Sequence, residues 1–317
     1  MGRNPQPWML VVPAFLVLAA TLEGLWLEHR DGAYDWKAYF TSMGDLVLRM
    51  ASNLLPVAIA AAGLQCCWVH RLYTLPLHEG WTWVVLFFGQ EFCYYWMHRA
   101  DHRVRWLWAT HSVHHSPNTL NLSAAYRLGW TTRLSVAPLF FAPLVLAGFP
   151  PLLVGGVLAA NLFYQFWLHA AWLPRLGLLE WILNTPAHHR VHHASNPEYL
   201  DANFGGVLIV FDRLFGTFVA EQPGVAIRYG LVEPIRSNNP IHIGLHQWRA
   251  IFRDIARAKS VRAVLSAAFG PPHSQTQTLG CPLSFLDTPR PQSLAETQWL
   301  VFARAKKRPP CGQPRIV

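Results

Sequence analysis

Nine histidines in three short clusters are the residues of this chain best suited to chemistry. The clusters have the spacings H-x-x-x-H, H-x-x-H-H and H-H-x-x-H-H, and their members are His98 and His102, then His111, His114 and His115, then His188, His189, His192 and His193. Because residues three and four apart lie on one face of a helix, each cluster is predicted to direct its imidazoles to one side. Neutral imidazole is the commonest metal ligand of proteins, so the pattern indicates a polyhistidine metal centre.

The number of imidazoles and the lack of acidic partners indicate which kind of metal centre this is. Soluble di-iron oxygenases use carboxylates and E-x-x-H motifs, which do not accompany these clusters. Two divalent ions would have about four imidazole nitrogens each. Attack on an unactivated C–H bond requires a redox metal, which favours two iron ions with O₂ as co-substrate. Two alternatives stay open: a zinc-dependent membrane hydrolase, and a non-catalytic metal-binding membrane protein.

The composition predicts a membrane protein. Of 317 residues, 52% are hydrophobic and only 14% are charged, whereas soluble domains carry about 25% charged residues. The formal net charge is +9, but the basic residues lie beside apolar segments rather than in a basic domain interleaved with aromatic residues. Membrane lipid with anionic headgroups is therefore the predicted partner, and nucleic acid is not.

Four apolar runs are long enough to suggest membrane-spanning helices. They cover residues 8–27, 46–69, 81–97 and 134–168, and the last is predicted to form a hairpin that turns near residues 148–151. The hairpin returns the chain to the face that it left, so all the histidine clusters are expected to meet at one membrane edge. The predicted fold class is an all-α integral membrane protein with about four transmembrane helices and a helical, histidine-rich metal domain.

Charge predicts the orientation of this metal domain. Residues 98–133 contain one acid, Asp101, against five arginines: Arg99, Arg103, Arg105, Arg127 and Arg133. The positive-inside rule therefore predicts that the metal site faces the cytoplasm. A multi-pass protein of the bacterial inner membrane is expected, with the endoplasmic reticulum as the alternative.

The predicted organisation has four parts. Residues 1–80 contain the N-terminal transmembrane helices, and residues 81–220 form the catalytic domain with the hairpin. Residues 221–269 are predicted to form an amphipathic interfacial segment, because apolar and basic side chains alternate at helical spacing between residues 246 and 268. A helix that packs on the catalytic domain is the alternative for this pattern. Residues 270–317, rich in proline, glutamine and serine, are predicted to be a poorly ordered tail.

The clusters and their flanking residues resemble a known superfamily. The stretch F-C-Y-Y-W-M-H-R-A-D-H at 92–102, H-S-V-H-H at 111–115 and N-T-P-A-H-H-R-V-H-H at 184–193 are similar to the fatty acid hydroxylase / sterol desaturase superfamily. The stretches Q-F-W-L-H at 165–169 and F-D-R-L-F-G-T-F at 211–218 narrow the resemblance to the branch that includes alkylglycerol monooxygenase.

The resemblance implies a membrane-bound di-iron enzyme that uses O₂ and an external reductant. Its substrate would be a fatty acyl, sterol or ether lipid, which it would hydroxylate or desaturate. Because the chain contains no cytochrome, ferredoxin or dinucleotide-binding motif, a separate electron donor is expected. Glu91 would be an acid that supports the ligands, and no catalytic residue beyond the ligands is predicted. The implied metal ligands are His98, His102, His111, His114, His115, His189, His192 and His193, with His169 and His188 as additional candidates.

Overall fold

The computed structural model describes residues 8–52 and 59–272. The helices in these ranges are α1 (Trp8–Asp31), α2 (Trp36–Ser52), α3 (Ile59–Val69), α4 (Gly80–Arg103), α5 (Arg105–His111), α6 (Thr132–Ser135), α7 (Ala142–Ala147), α8 (Pro151–Leu168), α9 (Pro186–His192), α10 (Val210–Leu214), α11 (Pro240–Arg257) and α12 (Val261–Phe269). Short 3-10 helices cover Leu122–Tyr126, Ala137–Phe141 and Gly177–Trp181. No β-strand forms in the described ranges, where only isolated bridges join Leu183 to Leu208 and Ala194 to Tyr229. The prediction of an all-α fold is confirmed.

Two of the described helices are long and apolar enough to cross a membrane, Val11–Asp31 in α1 and Pro151–Leu168, which is α8. Most of the α1 surface is exposed, and Phe15, Leu18 and Leu22 are each 55–56% exposed. The buried side of α1 includes Glu23, whose carboxylate accepts hydrogen bonds from the backbone N–H of Leu122 at 2.6 Å and from the Trp172 indole at 2.9 Å. An apolar outer face and a polar inner attachment therefore distinguish the two sides of this helix.

The predicted hairpin at 134–168 has the expected turn but an irregular first arm. The chain turns at Gly148, whose φ of +114° favours glycine, and Pro151 begins α8. Before the turn the chain forms α6, a 3-10 helix and α7 instead of one continuous helix. Val136 has a left-handed backbone conformation, and Pro138 and Pro143 supply no N–H for a continuous helix.

The helix α4 is the central element of the fold because it joins the apolar core to the first histidine cluster. Leu86 and Tyr94 of α4 pack with Phe141, Val145 and Phe149 in a buried cluster that also contacts α8. One turn beyond this core, α4 continues through residues 98–103 without a break. The helix thus fixes the direction of its histidines by packing along the preceding four turns.

The C-terminal helices α11 and α12 pack against α5. Trp248 and Ile251 of α11 are buried with Ala109 of α5, which accounts for the amphipathic pattern predicted in this region. The fully buried guanidinium of Arg105 donates to Asp254 Oδ2 at 2.6 Å and to the Ala267 carbonyl at 3.1 Å. Of the tail predicted for residues 270–317, everything after residue 272 lies outside the described ranges.

Candidate metal centre

Four separate segments bring nine histidines together. The end of α4 carries His98 and His102, and α5 with the turn after it carries His111, His114 and His115. The residue that follows α8 is His169, and α9 with the residue after it supplies the remaining three, His189, His192 and His193. Both helical pairs spaced by four residues, 98 with 102 and 189 with 193, point their rings into the same interior.

The first group contains five histidines whose potential ligand nitrogens all lie within 4.8 Å of one another: His98, His102, His111, His115 and His192. The Nε2 atom of His111 lies 3.1 Å from that of His98 and 3.2 Å from that of His115. Four of the five residues are buried, and His111 is partly exposed. This arrangement offers an ion up to five neutral nitrogen ligands.

The second group contains four buried histidines: His114, His169, His189 and His193. The Nε2 atom of His189 lies 3.1 Å from that of His169 and 3.1 Å from that of His193. The Nε2 atoms of His169 and His114 are 3.3 Å apart. The two groups are neighbours, since the rings of His115 and His193 stack with centroids 4.4 Å apart. Together they form a site of dinuclear size.

Backbone carbonyls fix the tautomer of four of these rings. The Nδ1 atoms of His98, His192, His114 and His169 lie 2.9–3.1 Å from the carbonyl oxygens of Phe204, Ala202, Arg127 and Gln165, respectively. A carbonyl oxygen accepts only, so each Nδ1 must carry the proton and each Nε2 must carry the lone pair. The ring nitrogens that face the interior are therefore ready to bind a metal.

The contacts between these nitrogens test whether a cation fits here. His114 and His169 both direct an Nε2 lone pair inward, and these two atoms lie 3.3 Å apart, so they repel each other unless a positive ion lies between them. Ligand nitrogens on one ion at about 2.0–2.1 Å are themselves separated by roughly 3 Å, the spacing seen in both groups. The Nε2 atoms of His102 and His192 are also buried without a hydrogen-bond partner among the described residues. Two imidazole-ligated metal ions fit this arrangement.

His188 lies in neither group. Its ring packs on the edge of Phe218 with centroids 5.3 Å apart, and its carbonyl accepts a hydrogen bond from the Asn203 side chain. His188 and His189 are consecutive on α9, so their side chains leave the helix in different directions. The ring of His189 belongs to the four-histidine group, and the ring of His188 points away from both groups. We therefore leave His188 out of the proposed ligand set, which otherwise contains all the predicted residues.

A buried loop at 201–205 supplies two of the carbonyls. The sequence pointed to Asp201 and Asp212 as acids that could orient the imidazoles directly, but not to the loop carbonyls that contact the rings. Asp201 and Asn203 have left-handed backbone conformations, with φ of 57° and 60°. The buried carboxylate of Asp212 accepts hydrogen bonds at 2.7 Å from the backbone N–H groups of Phe204 and Gly205 and from the Thr217 hydroxyl. The N-F-G-G sequence at 203–206 was a usable signal, because its glycines and asparagine are typical of such a turn.

Glu91 supports the same region without reaching the imidazoles. Its carboxylate accepts hydrogen bonds from the backbone N–H groups of Val207 and Leu208 at 2.9 and 2.8 Å, and a third from the Asn161 amide. Glu91 of α4 therefore joins this helix to Asn161 of α8 and to the backbone of residues 207–208, which precede α10. Among the described residues, the hydrogen bonds of Glu91 thus stabilise the backbone at 207–208 and contact no imidazole.

A cavity of about 200 Å³ adjoins both histidine groups. His98 and His111 of the first group and His114 and His169 of the second line it. The other lining side chains are mainly apolar and include Met97, Leu107, Leu128, Leu158, Leu162 and Phe166. An apolar cavity with a few convergent polar groups is typical of a small-molecule binding site, here beside the potential metals.

Burial makes the metal-free centre sensitive to acid. It lowers the pKa of His98 and His169 to about 3 and that of His114 to about 4, so all three are neutral at pH 7 in the folded chain. In the unfolded chain a histidine takes up its proton near pH 6.5. The unfolded state therefore binds more protons between these values, and the fold loses stability as the pH falls below about 6.5.

We expect the chelator-treated protein to unfold at a lower temperature near pH 5.5 than near pH 7.5. Each such histidine contributes a loss of about 1.4 kcal/mol one pH unit below its unfolded pKa. Asp201 and Asp212, whose pKa burial raises to about 6, act in the opposite direction below pH 6, but the histidines outnumber them. Thermal unfolding across this range, followed by circular dichroism, measures the effect. A flat profile would contradict neutral burial of the imidazoles.

Comparison with known proteins supports the superfamily predicted from the motifs. Residues 83–217 match the fatty acid hydroxylase family. Human alkylglycerol monooxygenase is 44% identical over 183 residues, which is 58% of this chain and 40% of the human protein. The alkylglycerol monooxygenase of Danio rerio is 47% identical over 211 residues, or 66% and 46% of the two chains.

A bacterial relative is similar over a shorter segment. The ornithine lipid hydroxylase OlsE of Rhizobium tropici is 33% identical over 128 residues, 40% of this chain and 39% of its own length. This chain spans less than half the length of each of these three relatives. No solved structure matches it. The resemblance to the fatty acid hydroxylase superfamily, and to its alkylglycerol monooxygenase branch, is confirmed.

Proposed function

Because residues 83–217 match the fatty acid hydroxylase family, we propose that this chain is a membrane-bound di-iron monooxygenase that hydroxylates a lipid. One observation carries the proposal: two neighbouring groups of five and four histidines adjoin an apolar cavity that both groups line. Relatives named as monooxygenases and a lipid hydroxylase support the reaction class.

The metal ligands in this proposal are the nine histidines of the two groups. His98, His102, His111, His115 and His192 would hold one ion, and His114, His169, His189 and His193 the other. When bound, two irons would supply the redox chemistry that joins O₂, two electrons and two protons to a C–H bond, giving an alcohol and water. Zinc suits the same nitrogens but has no redox chemistry, so metal analysis of the purified protein separates the two.

The chain itself contributes position and exclusion of water. Backbone carbonyls hold the imidazole nitrogens in the metal-binding tautomer, as described for His98 and His169. The apolar wall of Leu158, Leu162 and Phe166 would hold an alkyl segment beside the histidines and keep bulk water out. Selectivity for one carbon would then follow from how far the lipid extends along this wall.

We infer that an alkyl ether lipid is the substrate, on the strength of the alkylglycerol monooxygenase relatives. Hydroxylation of the carbon that carries the ether oxygen gives a hemiacetal, which collapses to an aldehyde and an alcohol. Hydroxylation of a fatty acyl or sterol chain would leave the alcohol in place. Loss of two hydrogens without oxygen insertion would be desaturation.

The proposed setting is a membrane, with the metal face toward the cytoplasm. The exposed apolar faces of α1 and of the first turns of α4, where Trp81, Val84 and Phe88 are about half exposed, support contact with lipid. We propose several spans, of which α1 and α8 have sufficient length and hydropathy. A separate electron donor on the cytoplasmic side completes the proposal.

The test is lipid mass spectrometry of cells that express the chain and grow under ¹⁸O₂. We expect one labelled oxygen atom in a lipid product, or in the aldehyde formed from an ether lipid, only in cells with the intact chain. Cells that express a His192→Ala variant are the control. Equal labelling in both cultures would contradict the proposal, and an unlabelled product that has lost two hydrogens would assign desaturation instead.

A further inference from the structure

The cavity beside the histidines contains a charge that the proposed chemistry does not use. Arg49 of α2 is the arginine among its described lining residues, and they include no lysine. Its Nε atom is buried and has no hydrogen-bond partner in the described part of the chain. The other walls are mostly apolar. The simplest explanation for a guanidinium that lines an apolar cavity is that it binds a ligand.

Physical chemistry defines what such a group requires. A guanidinium has five N–H donors and no acceptor, and it keeps its charge at every physiological pH. Burying one of its N–H groups without a partner, as for Nε of the half-buried Arg49, costs free energy because that group loses water and gains no acceptor. A phosphate or carboxylate supplies both the negative charge and two oxygens at the correct spacing for its paired N–H groups.

Asp45 is the nearest acid on the same helix, and only one of its two carboxylate oxygens has a hydrogen-bond partner among the described residues. Asp45, one turn before Arg49, does not line the cavity, and its Oδ2 accepts a hydrogen bond from the Gly129 N–H at 3.2 Å. Among the described residues, neither Asp45 nor the cavity acid Asp101 lies within 4.0 Å ion-pair distance of Arg49. Asp45 therefore attracts Arg49 through space, but no direct ion pair within the described part of the chain neutralises the guanidinium.

Two hydroxyl groups that line the cavity with Arg49 already donate their protons within the chain, so they are not free to donate to a ligand. Thr132 donates its hydroxyl proton to the Gly129 carbonyl at 2.5 Å, and Ser135 donates to the Thr132 carbonyl at 2.8 Å. Both residues line the cavity with Arg49. Since their protons are used internally, a ligand here must bring its own acceptor oxygens to the arginine.

We propose that Arg49 binds an oxyanion, a phosphate or carboxylate, on the polar head of the lipid whose apolar part lies along Leu158, Leu162 and Phe166. This inference rests on the proposed function, and it adds that Arg49 selects the lipid substrate by the charge of its polar head. Arg49 lies outside residues 83–217, so the selectivity comes from a helix that the family match does not include. Anionic lipids are then preferred over neutral lipids with the same alkyl chain.

The experiment compares three probes on the purified full chain: 1-O-hexadecylglycerol, its 3-phosphate and inorganic phosphate. Dissociation constants come from the change in tryptophan fluorescence, and metal content is measured on each sample. We expect the phosphate ester to bind about 10- to 100-fold more tightly than the neutral lipid, as a charge-assisted hydrogen bond provides. Arg49→Gln should remove this preference, and Arg49→Lys should keep part of it. Arg262→Gln, on the exposed surface of α12, should leave it unchanged.

Three results would overturn the assignment. These are equal affinities in the unmodified chain, an unchanged preference in Arg49→Gln with normal metal content, and competition by inorganic phosphate at the same concentration as the ester. The last would mean that the site recognises free phosphate rather than a lipid head. An Arg49-dependent preference without ¹⁸O incorporation would support this inference and contradict the monooxygenase, so the two proposals fail separately.

Discussion

Replacing His189 by alanine should remove about one metal ion per chain and reduce lipid turnover by about 100-fold or more. Its Nε2 atom is 3.1 Å from those of both His169 and His193, so it is the shared neighbour in the four-histidine group. The variant leaves three ligands where a redox ion needs a complete, fixed set. Loss of a residue that merely orients a ligand already costs 10- to 100-fold, and loss of the ligand itself should cost more.

His188→Ala is a closely matched control, since it changes the adjacent residue on the same helix. Its ring packs on Phe218 and belongs to neither histidine group. We expect this variant to retain both metal ions and most of the turnover, with a moderate loss of stability from the buried cavity. Metal analysis of the two purified variants, together with labelled-product yield, decides. Loss of metal in His188→Ala, or full metal content in His189→Ala, would refute the ligand set.

Replacing Asp212 by alanine should destabilise the fold by about 3 kcal/mol or more. The change leaves two buried donors without an acceptor, the N–H groups of Phe204 and Gly205, and each unsatisfied group costs about 1–3 kcal/mol. It also removes one of the two hydrogen bonds of the Thr217 hydroxyl, which keeps its 3.0 Å contact with the Tyr95 hydroxyl. For a chain of 317 residues, with an entropy of unfolding of about 2.1 cal/mol/K per residue, that loss corresponds to a decrease of about 4–5 °C in the unfolding temperature. Thermal unfolding of the purified variant measures the change.

The same variant should also weaken metal binding in the five-histidine group. Asp212 holds the loop whose Phe204 carbonyl accepts the Nδ1–H of His98 and whose Ala202 carbonyl accepts that of His192. When the loop moves, both rings lose the contact that fixes their tautomer. Asp31→Ala, which removes an exposed carboxylate paired with its neighbour Arg30, is the control and should change stability by less than about 0.5 kcal/mol. Unchanged metal affinity in Asp212→Ala would show that the loop does not position the ligands.

The helical fold, the clustered histidines and the superfamily were predictable from local sequence. The H-x-x-x-H pair of α4 is an example, because i and i+4 residues share a face whatever surrounds the helix. The turn at 148–151 was predictable for a similar reason, since glycine and proline restrict the backbone locally. The irregular arm before that turn was not, because a hydropathy pattern does not show where a left-handed residue interrupts a helix.

The charges of the chain show how sequence reasoning was limited. Arg105 and Arg127 were counted among the charges that predict the membrane orientation, yet both are buried. Arg127 donates to the Ser42 and Ser116 hydroxyls and to the Ala38 carbonyl, and Arg105 pairs with Asp254. Their partners are between 11 and 149 residues away in sequence, a separation that no local pattern encodes.

The sequence by itself determined which atoms are available for the chemistry: clustered imidazoles, few acids beside them, and long apolar helices. Only the tertiary structure decided how those imidazoles divide into groups of five and four, which ring of the His188–His189 pair joins them, and which carbonyls fix the tautomers. It also placed Arg49 in the cavity wall. The physical reason is that ligand geometry depends on the relative positions of α4, α5, α8 and α9, and long-range packing sets those positions.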